Sequence, residues 1–257
     1  VDVLRKLLQA VDAGDTCVLA TVAGVQGSAP RKDAARMLVS ARGLTCGTVG
    51  GGEVEAAARA AASEMLAGPD RGRLLEIATN CGGVVTVMLE KFAPRRRLLV
   101  VGAGHVGRVV ASAGSRAGYR VTIASPGGSE HAQDVEEFES VAAGDPEVLD
   151  HWENAERTQV VVATGDADAD TAWAVAALAR PFAGVGVVGS KNKAAAIRHA
   201  AAGAGVHPDR IRTLRCPVGL DLGAVTPEEI AVSIVAELIR LDRTGEVPEG
   251  WRRASRA

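Results

Sequence analysis

The stretch Val100-Val101-Gly102-Ala103-Gly104-His105-Val106-Gly107 decides the fold. It has the GxGxxG spacing, which means little in isolation. Here an apolar run over 98–101 reads as a buried strand, and the motif closes it. Beyond it, Val106, Val109, Val110, Ala113 and Ala117 recur on one face of a helix. A glycine loop between a strand and a helix is the setting in which the spacing has a mechanical meaning. Gly102 allows the tight turn, Gly104 lets a pyrophosphate approach the backbone, and Gly107 permits close helix–strand packing. The helix start adds free N–H groups and a partial positive charge. Gly102, Gly104, His105, Val106 and Gly107 are therefore candidate cofactor-binding residues, although His105 is as readily a residue that only positions the turn.

Downstream, strands are predicted over 119–124, 159–163 and 184–188. Helices are predicted over 106–117, 170–180 and 191–202. Alternation of strand and helix implies a parallel, doubly wound sheet whose ligands bind outside the strand carboxyl ends. Thr164, Gly189 and Ser190 fall at such ends and join the candidate set. A last helix opens on Thr226-Pro227-Glu228-Glu229, which combines an N-cap, a first-turn proline and a capping box. Residues after Gly245 read as loose. The second half of a dinucleotide fingerprint is missing. An acid is expected ~20 residues after the glycines to hold a ribose hydroxyl, yet the strand ends Ala124-Ser125-Pro126-Gly127-Gly128. Ser125 can hydrogen-bond either a 2′-hydroxyl or a 2′-phosphate. NADP, NAD, another nucleotide and a site without ligand all stay open.

Upstream of this domain, assigned to 97–257, Ala93-Pro94 and three arginines read as a solvated linker. Residues 1–93 have a different pattern. Val3, Leu4, Leu7, Leu8 and Val11 form an amphipathic helix that Gly14 ends. Strands follow over 16–22, 36–40 and 44–49, the last two joined by Ala41-Arg42-Gly43. Gly50-Gly51-Gly52 precedes an alanine-rich helix over 53–67, stopped by Gly68-Pro69, and strands over 73–78 and 84–90 complete the segment. The fold class is thus α/β: a small N-terminal α+β domain followed by a Rossmann-like doubly wound parallel sheet.

Composition narrows the function. Aromatics are 3% of the 257 residues and the formal net charge is −2, without a long basic stripe, which argues against nucleic acid as a partner. No apolar run reaches the ~18 residues of a membrane span, and no signal-peptide layout is visible, so the expected location is cytoplasmic. Cys17, Cys46, Cys81 and Cys216 lie far apart and form no CxxC pair. That spacing predicts neither a structural zinc nor a disulfide framework. Cys17, Cys46 and Cys216 read as buried small hydrophobes. The remaining histidines, His131, His151, His199 and His207, have no metal-ligand spacing.

Over most of its length, from Gly27-Ser28-Ala29-Pro30-Arg31 through Gly50-Gly51-Gly52 and Cys81-Gly82-Gly83 to Pro217-Val218-Gly219-Leu220, the chain resembles the XdhC/CoxI family of accessory proteins for molybdenum hydroxylases. Gly27-Ser28-Ala29-Pro30-Arg31 is similar to the family's GSxPR segment, and Ala35-Arg36-Met37-Leu38-Val39 to its next strand. Gly47-Thr48-Val49-Gly50-Gly51-Gly52-Glu53-Val54-Glu55 resembles the G[ST]xxGGxxE element, and Cys81-Gly82-Gly83 with Glu90 the CGG…E element. Gly189-Ser190-Lys191 resembles the GSrrK block. Pro217-Val218-Gly219-Leu220-Asp221-Leu222-Gly223-Ala224, continuing into Thr226-Pro227-Glu228-Glu229-Ile230-Ala231, is the most specific match. The resemblance implies a protein that binds the molybdenum cofactor or its nucleotide form and helps insert it into a partner hydroxylase. It also implies an N-terminal domain carrying the glycine loops, docked on a Rossmann domain. Cys81 and Glu55 then become candidate catalytic residues, the thiol for a soft molybdenum or sulfur centre and the carboxylate for a pterin ring.

The chain departs from the family pattern in four places. Thr164-Gly165-Asp166-Ala167-Asp168-Ala169-Asp170 stands where THDHxxD is usual, Asn80-Cys81 replaces a cysteine pair, Gly184 replaces a tyrosine, and Ser125 replaces an acid. These changes are expected to cluster at strand carboxyl ends and to alter ligand or chemistry. Three readings stay open: a maturation factor for molybdenum enzymes, an NAD(P)-dependent oxidoreductase acting on a small metabolite, and an interacting or sensing protein without turnover. A homodimer is compatible with each.

Overall fold

The computed structural model describes residues 2–27, 34–80, 82–125, 139–141 and 145–251. Ser28 to Arg31, Cys81, Pro126-Gly127-Gly128 and His131 lie outside the described residues. The chain divides into two compact units, Val1–Pro94 and Arg95–Ala257.

The first unit contains α1 (Asp2–Asp12), β1 (Cys17–Gln26), β2 (Arg36–Ser40), β3 (Thr45–Gly47), α2 (Gly52–Ala67), β4 (Gly72–Ala78) and β5 (Val84–Phe92). Its strands form one antiparallel sheet in the order β3-β2-β1-β5-β4. Alternate residues of a strand point to opposite faces. Val18, Ala20 and Val22 accordingly pack with Met37, Val39, Val85, Val87 and Leu89 beneath Val54, Ala58, Ala62 and Met65 of α2. Cys17, Leu19 and Leu38 face the other way, onto Leu7 of α1. β1 is buried on both faces, which is why it reads as a continuous apolar run. It also extends to Gln26 instead of stopping at Val22. The register shifts between Val22 and Gly24, and pairing with β5 resumes as far as Gln26–Val84.

The second unit contains β6 (Arg97–Val101), α3 (His105–Arg116), β7 (Arg120–Ala124), β8 (Glu139–Val141), β9 (Thr158–Val162), α4 (Ala167–Leu178), β10 (Gly184–Val187), α5 (Lys191–Gly203), α6 (Pro208–Arg212) and α7 (Pro227–Thr244). All the ladders are parallel, in the order β10-β9-β6-β7-β8. The chain runs outward from β6 through β7 and β8, then crosses back to β9 and β10. The order therefore reverses between β6 and β9, where an open parallel sheet forms its ligand crevice. Leu98, Val100, Val121 and Ile123 meet Val110, Ala111, Ile234 and Leu238 of α3 and α7 on one face. Leu99, Val101, Val160, Val162, Val185 and Val187 meet Trp173, Leu178 and Ile197 of α4 and α5 on the other.

Four details depart from expectation. β8 joins the sheet beyond β7. Arg215 adds a bridge at the β10 edge, donating from its N–H to Val185 at 3.0 Å and accepting from Val187 at 2.8 Å. The arginines after Pro94 are not all solvated: Arg96 donates to the Asp242 carbonyl at 3.2 Å and pairs with its carboxylate at 3.5 Å. A helix carboxyl end offers unpaired carbonyls and partial negative charge, which recruits such a cation. Residues 246–251 are ordered onto the domain, since Asp221 donates to the Trp251 carbonyl at 2.8 Å and Arg240 sits 5.5 Å from the Trp251 ring. The expected capping box of α7 is present, and Gly245 ends the helix in the left-handed conformation.

Candidate functional site

The three glycines of the loop serve three different purposes. Gly102 has φ +112°, and a Cβ there would run into the Ala163–Thr164 backbone of the neighbouring strand end. Gly107 lies so close under the loop that a Cβ would overlap the Gly102 carbonyl. Gly104 has no such constraint: nothing lies within 4 Å of where its Cβ would stand. It is the N-cap of α3 and offers no side-chain cap to the helix N–H groups. The amino end of α3 thus combines a partial positive charge with uncovered backbone. Arg108 braces the loop by donating from Nε to the Ala103 carbonyl at 2.8 Å. His105 is exposed as the first residue of α3, and Val106 is half-buried against the core.

Ser125 directly follows β7, beside the Gly102 loop, whose N–H donates to the Ala124 carbonyl at 2.8 Å. It is 1% exposed, and its Oγ has no hydrogen-bond partner among the described residues. A buried hydroxyl left unpaired is costly unless something completes it.

On the other side of the switch point, the carboxyl ends of β9 and β10 are tied together. Asp170, in the first turn of α4, is 0% exposed. Its Oδ1 accepts from the Thr164 N–H at 3.0 Å and the Thr164 hydroxyl at 2.7 Å, and its Oδ2 accepts from Lys193 Nζ at 2.5 Å. Lys193 lies in the first turn of α5, where its N–H donates to the Ser190 cap at 3.3 Å. Its stem folds back across Gly189, where a Cβ would sit 2.6 Å from Cδ. Gly189 and Ser190 therefore serve Lys193. Sequence reasoning selected Thr164, Gly189 and Ser190 but missed Asp170 and Lys193, because an acid or a lysine in a first helical turn looks like ordinary surface charge. The available signals were the spacings TxxxxxD and GSxxK.

Cys216 closes this cluster, with Sγ 3.5 Å from the Ser190 carbonyl. Burial pushes its thiol up to about 11, against the opposing influence of Lys193 and Arg198. Cys17 is likewise raised to about 11, by burial and then by Asp15. A thiol so raised is a poor nucleophile at neutral pH.

In the first unit, the family-like loops converge. Asn80 donates from Nδ2 to Glu53, linking the loop before Cys81 to the first turn of α2. Gly27 packs against the same loop, where a Cβ would lie 3.1 Å from the Gly83 Cα. Glu55 is engaged locally: its carboxylate accepts from the Thr48 hydroxyl at 2.7 Å and from Arg59 at 2.8 Å. It thereby fixes the Thr48–Gly50 turn, whose amide Gly50 N–H reaches Thr48 Oγ1 at 3.2 Å.

The departures from the family pattern do not all cluster at strand carboxyl ends. Gly184 is the first residue of β10, at the opposite end. The space a side chain would need there is filled by Gln159 Oε1 and by Arg215 Nη2, 2.9 Å from the Cβ position.

Residues 98–238 match the model described as the XdhC Rossmann domain, and residues 10–77 match the one described as the XdhC and CoxI family. YqeB of Escherichia coli K12, described as uncharacterized, is 30% identical over 242 residues, covering 87% of this chain and 43% of that protein. PaoD of the same organism, described as a molybdenum cofactor insertion chaperone, is 37% identical over 107 residues, covering 38% of this chain and 34% of that protein. The chain thus spans less than half the length of either relative. A Bacillus halodurans crystal structure described as a xanthine dehydrogenase superposes with a TM-score of 0.54 at 19% identity, covering 95% of this chain and 98% of that one. At that identity the likeness concerns the fold.

Proposed function

The chain belongs to the XdhC and CoxI family, and from that membership we propose that it is an accessory protein that binds the molybdenum cofactor, or its nucleotide form, and assists maturation of a molybdenum hydroxylase. The relative described as a molybdenum cofactor insertion chaperone supports the role. The observation that carries it in the structure is the bare amino end of α3 at Gly104, where no Cβ covers the helix N–H groups. A phosphate or pyrophosphate fits such a place. Gly102 to Gly107 would hold it. Ser125, Thr164, Gly189 and Ser190 would border the rest of the ligand at the strand ends. When bound, the cofactor supplies the molybdenum and dithiolene chemistry, and the chain supplies binding, orientation and release. Cys81, in the first unit, is proposed separately as a thiol for a soft molybdenum or sulfur centre. Glu55 positions the glycine turn before α2. No helix among the described residues is long and apolar enough to cross a membrane.

The test is the ligand itself. Protein purified from a cofactor-producing host is denatured, and the released ligand is identified by absorbance and mass. A pterin is the expected result. A nicotinamide dinucleotide without pterin would overturn the proposal. Thiol labelling adds a residue-level readout at pH 8. Cys17 and Cys216, raised to about 11, should label slowly whether or not ligand is present. Cys81 should label quickly and be slowed by added cofactor; an unchanged Cys81 rate would remove it from the site.

A second reading, an NAD(P)-dependent oxidoreductase on the same scaffold, is favoured by Ser125. Its buried hydroxyl, without a hydrogen-bond partner among the described residues, follows the second strand of the domain, the position expected to meet a ribose. On that reading NADP binds at least as well as NAD. Ser125→Asp should reverse the order, because a carboxylate accepts from a 2′-hydroxyl and repels a 2′-phosphate. Tight binding of NAD alone by the wild type would contradict it.

A further inference from the structure

We propose that Lys193 is a ligand-binding residue for an oxyanion and that Asp170 is its positioning residue, at the end of the crevice opposite Ser125; this rests on the ligand-binding role proposed above. Four observations converge on it. The pair is asymmetric: the Asp170 side chain is 1% exposed, whereas that of Lys193 is 22% exposed, so of the two only the lysine side chain reaches the surface. Asp170 takes three donors from within, both of Thr164 and the ammonium. Lys193 keeps donor capacity: an ammonium has three donors, and its described acceptors are Asp170 and, at 3.5 Å, the Val188 carbonyl. Finally, Gly189 clears the path of the lysine stem, so the chain gives up a side chain to bring this ammonium back over the strand ends.

A lysine wanted only for surface charge needs none of this. The arrangement bridges the loops after β9 and β10 and holds a cation at the place where a parallel sheet receives its ligand. The amino end of α5, capped by Ser190, adds its partial positive charge nearby. Asp166, the N-cap of α4, is occupied in capping the Ala169 N–H at 2.8 Å. A cation so placed favours a ligand with an anionic oxygen group at this end, such as a phosphate, a carboxylate or a metal-bound oxo group. It disfavours the positively charged ring of an oxidised nicotinamide.

The experiment uses the full chain and two probes: molybdenum cofactor released from a purified hydroxylase, and inorganic phosphate. K193M should weaken cofactor binding about tenfold or more, in keeping with loss of a charge-assisted hydrogen bond. K193R should keep most of the affinity. Because K193M leaves the Asp170 carboxylate buried and unpaired, D170N/K193M is measured as well, and it should show the same loss in a folded protein. D170N alone should raise the rate at which acetic anhydride modifies Lys193, read by peptide mass spectrometry. A purely structural Asp170 would destabilise the protein without that selective change. Equal cofactor affinity of wild type and D170N/K193M would overturn the assignment and leave the proposed function standing. A wild type that binds no cofactor would overturn the proposed function. Lys193 is then judged by phosphate, which should still protect it from acetylation, and an unprotected Lys193 would overturn the assignment too.

Discussion

Gly104→Val is expected to abolish most phosphate-dependent binding while the fold survives. The valine side chain would enter space in which, chain neighbours aside, no atom of the described residues lies within 4 Å of the Cβ position, so the described packing has little to lose. The backbone there has φ −72° and ψ −176°, an extended conformation that any residue adopts. The same side chain would stand over the free N–H groups of α3, where an anion must come within hydrogen-bonding distance. An affinity loss of about 100-fold, or roughly 2.7 kcal/mol, is expected by calorimetry with the released cofactor, with Tm nearly unchanged. Gly107→Val is the contrasting variant. Its side chain would overlap the Gly102 carbonyl, so stability should fall by roughly 1–3 kcal/mol or more through overpacking. Unaltered affinity in Gly104→Val would remove the loop from the binding site.

The second large effect lies at the other end of the same sheet. Arg215 is 5% exposed and Glu237 is 1% exposed, with 3.6 Å between Nη1 and Oε1. Arg215 also donates to Gln159 at 2.8 Å, and Glu237 accepts from the Gly219 N–H. The pair therefore pins the Pro217–Gly223 block between β10 and α7. Arg215→Met removes the cation 3.6 Å from this buried carboxylate, and breaking a buried ion pair costs roughly 3–5 kcal/mol. For a protein of this size, that corresponds to a fall in Tm of about 10 °C. Arg215→Met/Glu237→Gln should regain much of the loss, because the amide oxygen still accepts from Gly219 and no charge is stranded. A single variant that melts within ~2 °C of wild type would show the pair to be incidental.

Much of the fold was legible in the sequence because it rests on local rules. The strand–GxGxxG–helix unit needs particular backbone conformations and close approaches that only glycine supplies, and Gly102 and Gly107 are glycine for those reasons. Thr226-Pro227-Glu228-Glu229 specifies a helix start by hydrogen bonds within four consecutive residues, and the capping box formed as expected. The apolar run of β6 likewise follows from burial. The family motifs are short contiguous strings of the same kind, so the amino-acid sequence alone carries the resemblance.

What the tertiary structure decided involves partners distant in the chain. The strand expected to stop at Val22 runs on, because pairing with β5 carries β1 through Gly24 as a bulge. Arg96 looked like linker charge, yet the carboxyl end of α7 claims it. Asp170 and Lys193 are separated by a helix and a strand, and each alone is an ordinary first-turn charge. They become a site because parallel pairing of β9 with β10 brings the loops after those strands side by side. Gly184 reads as a lost side chain until Arg215 and Gln159 are seen filling its place. Sequence periodicity reports which face of an element is buried. Which buried polar groups meet there depends on strand order, and strand order is set only when the whole sheet assembles.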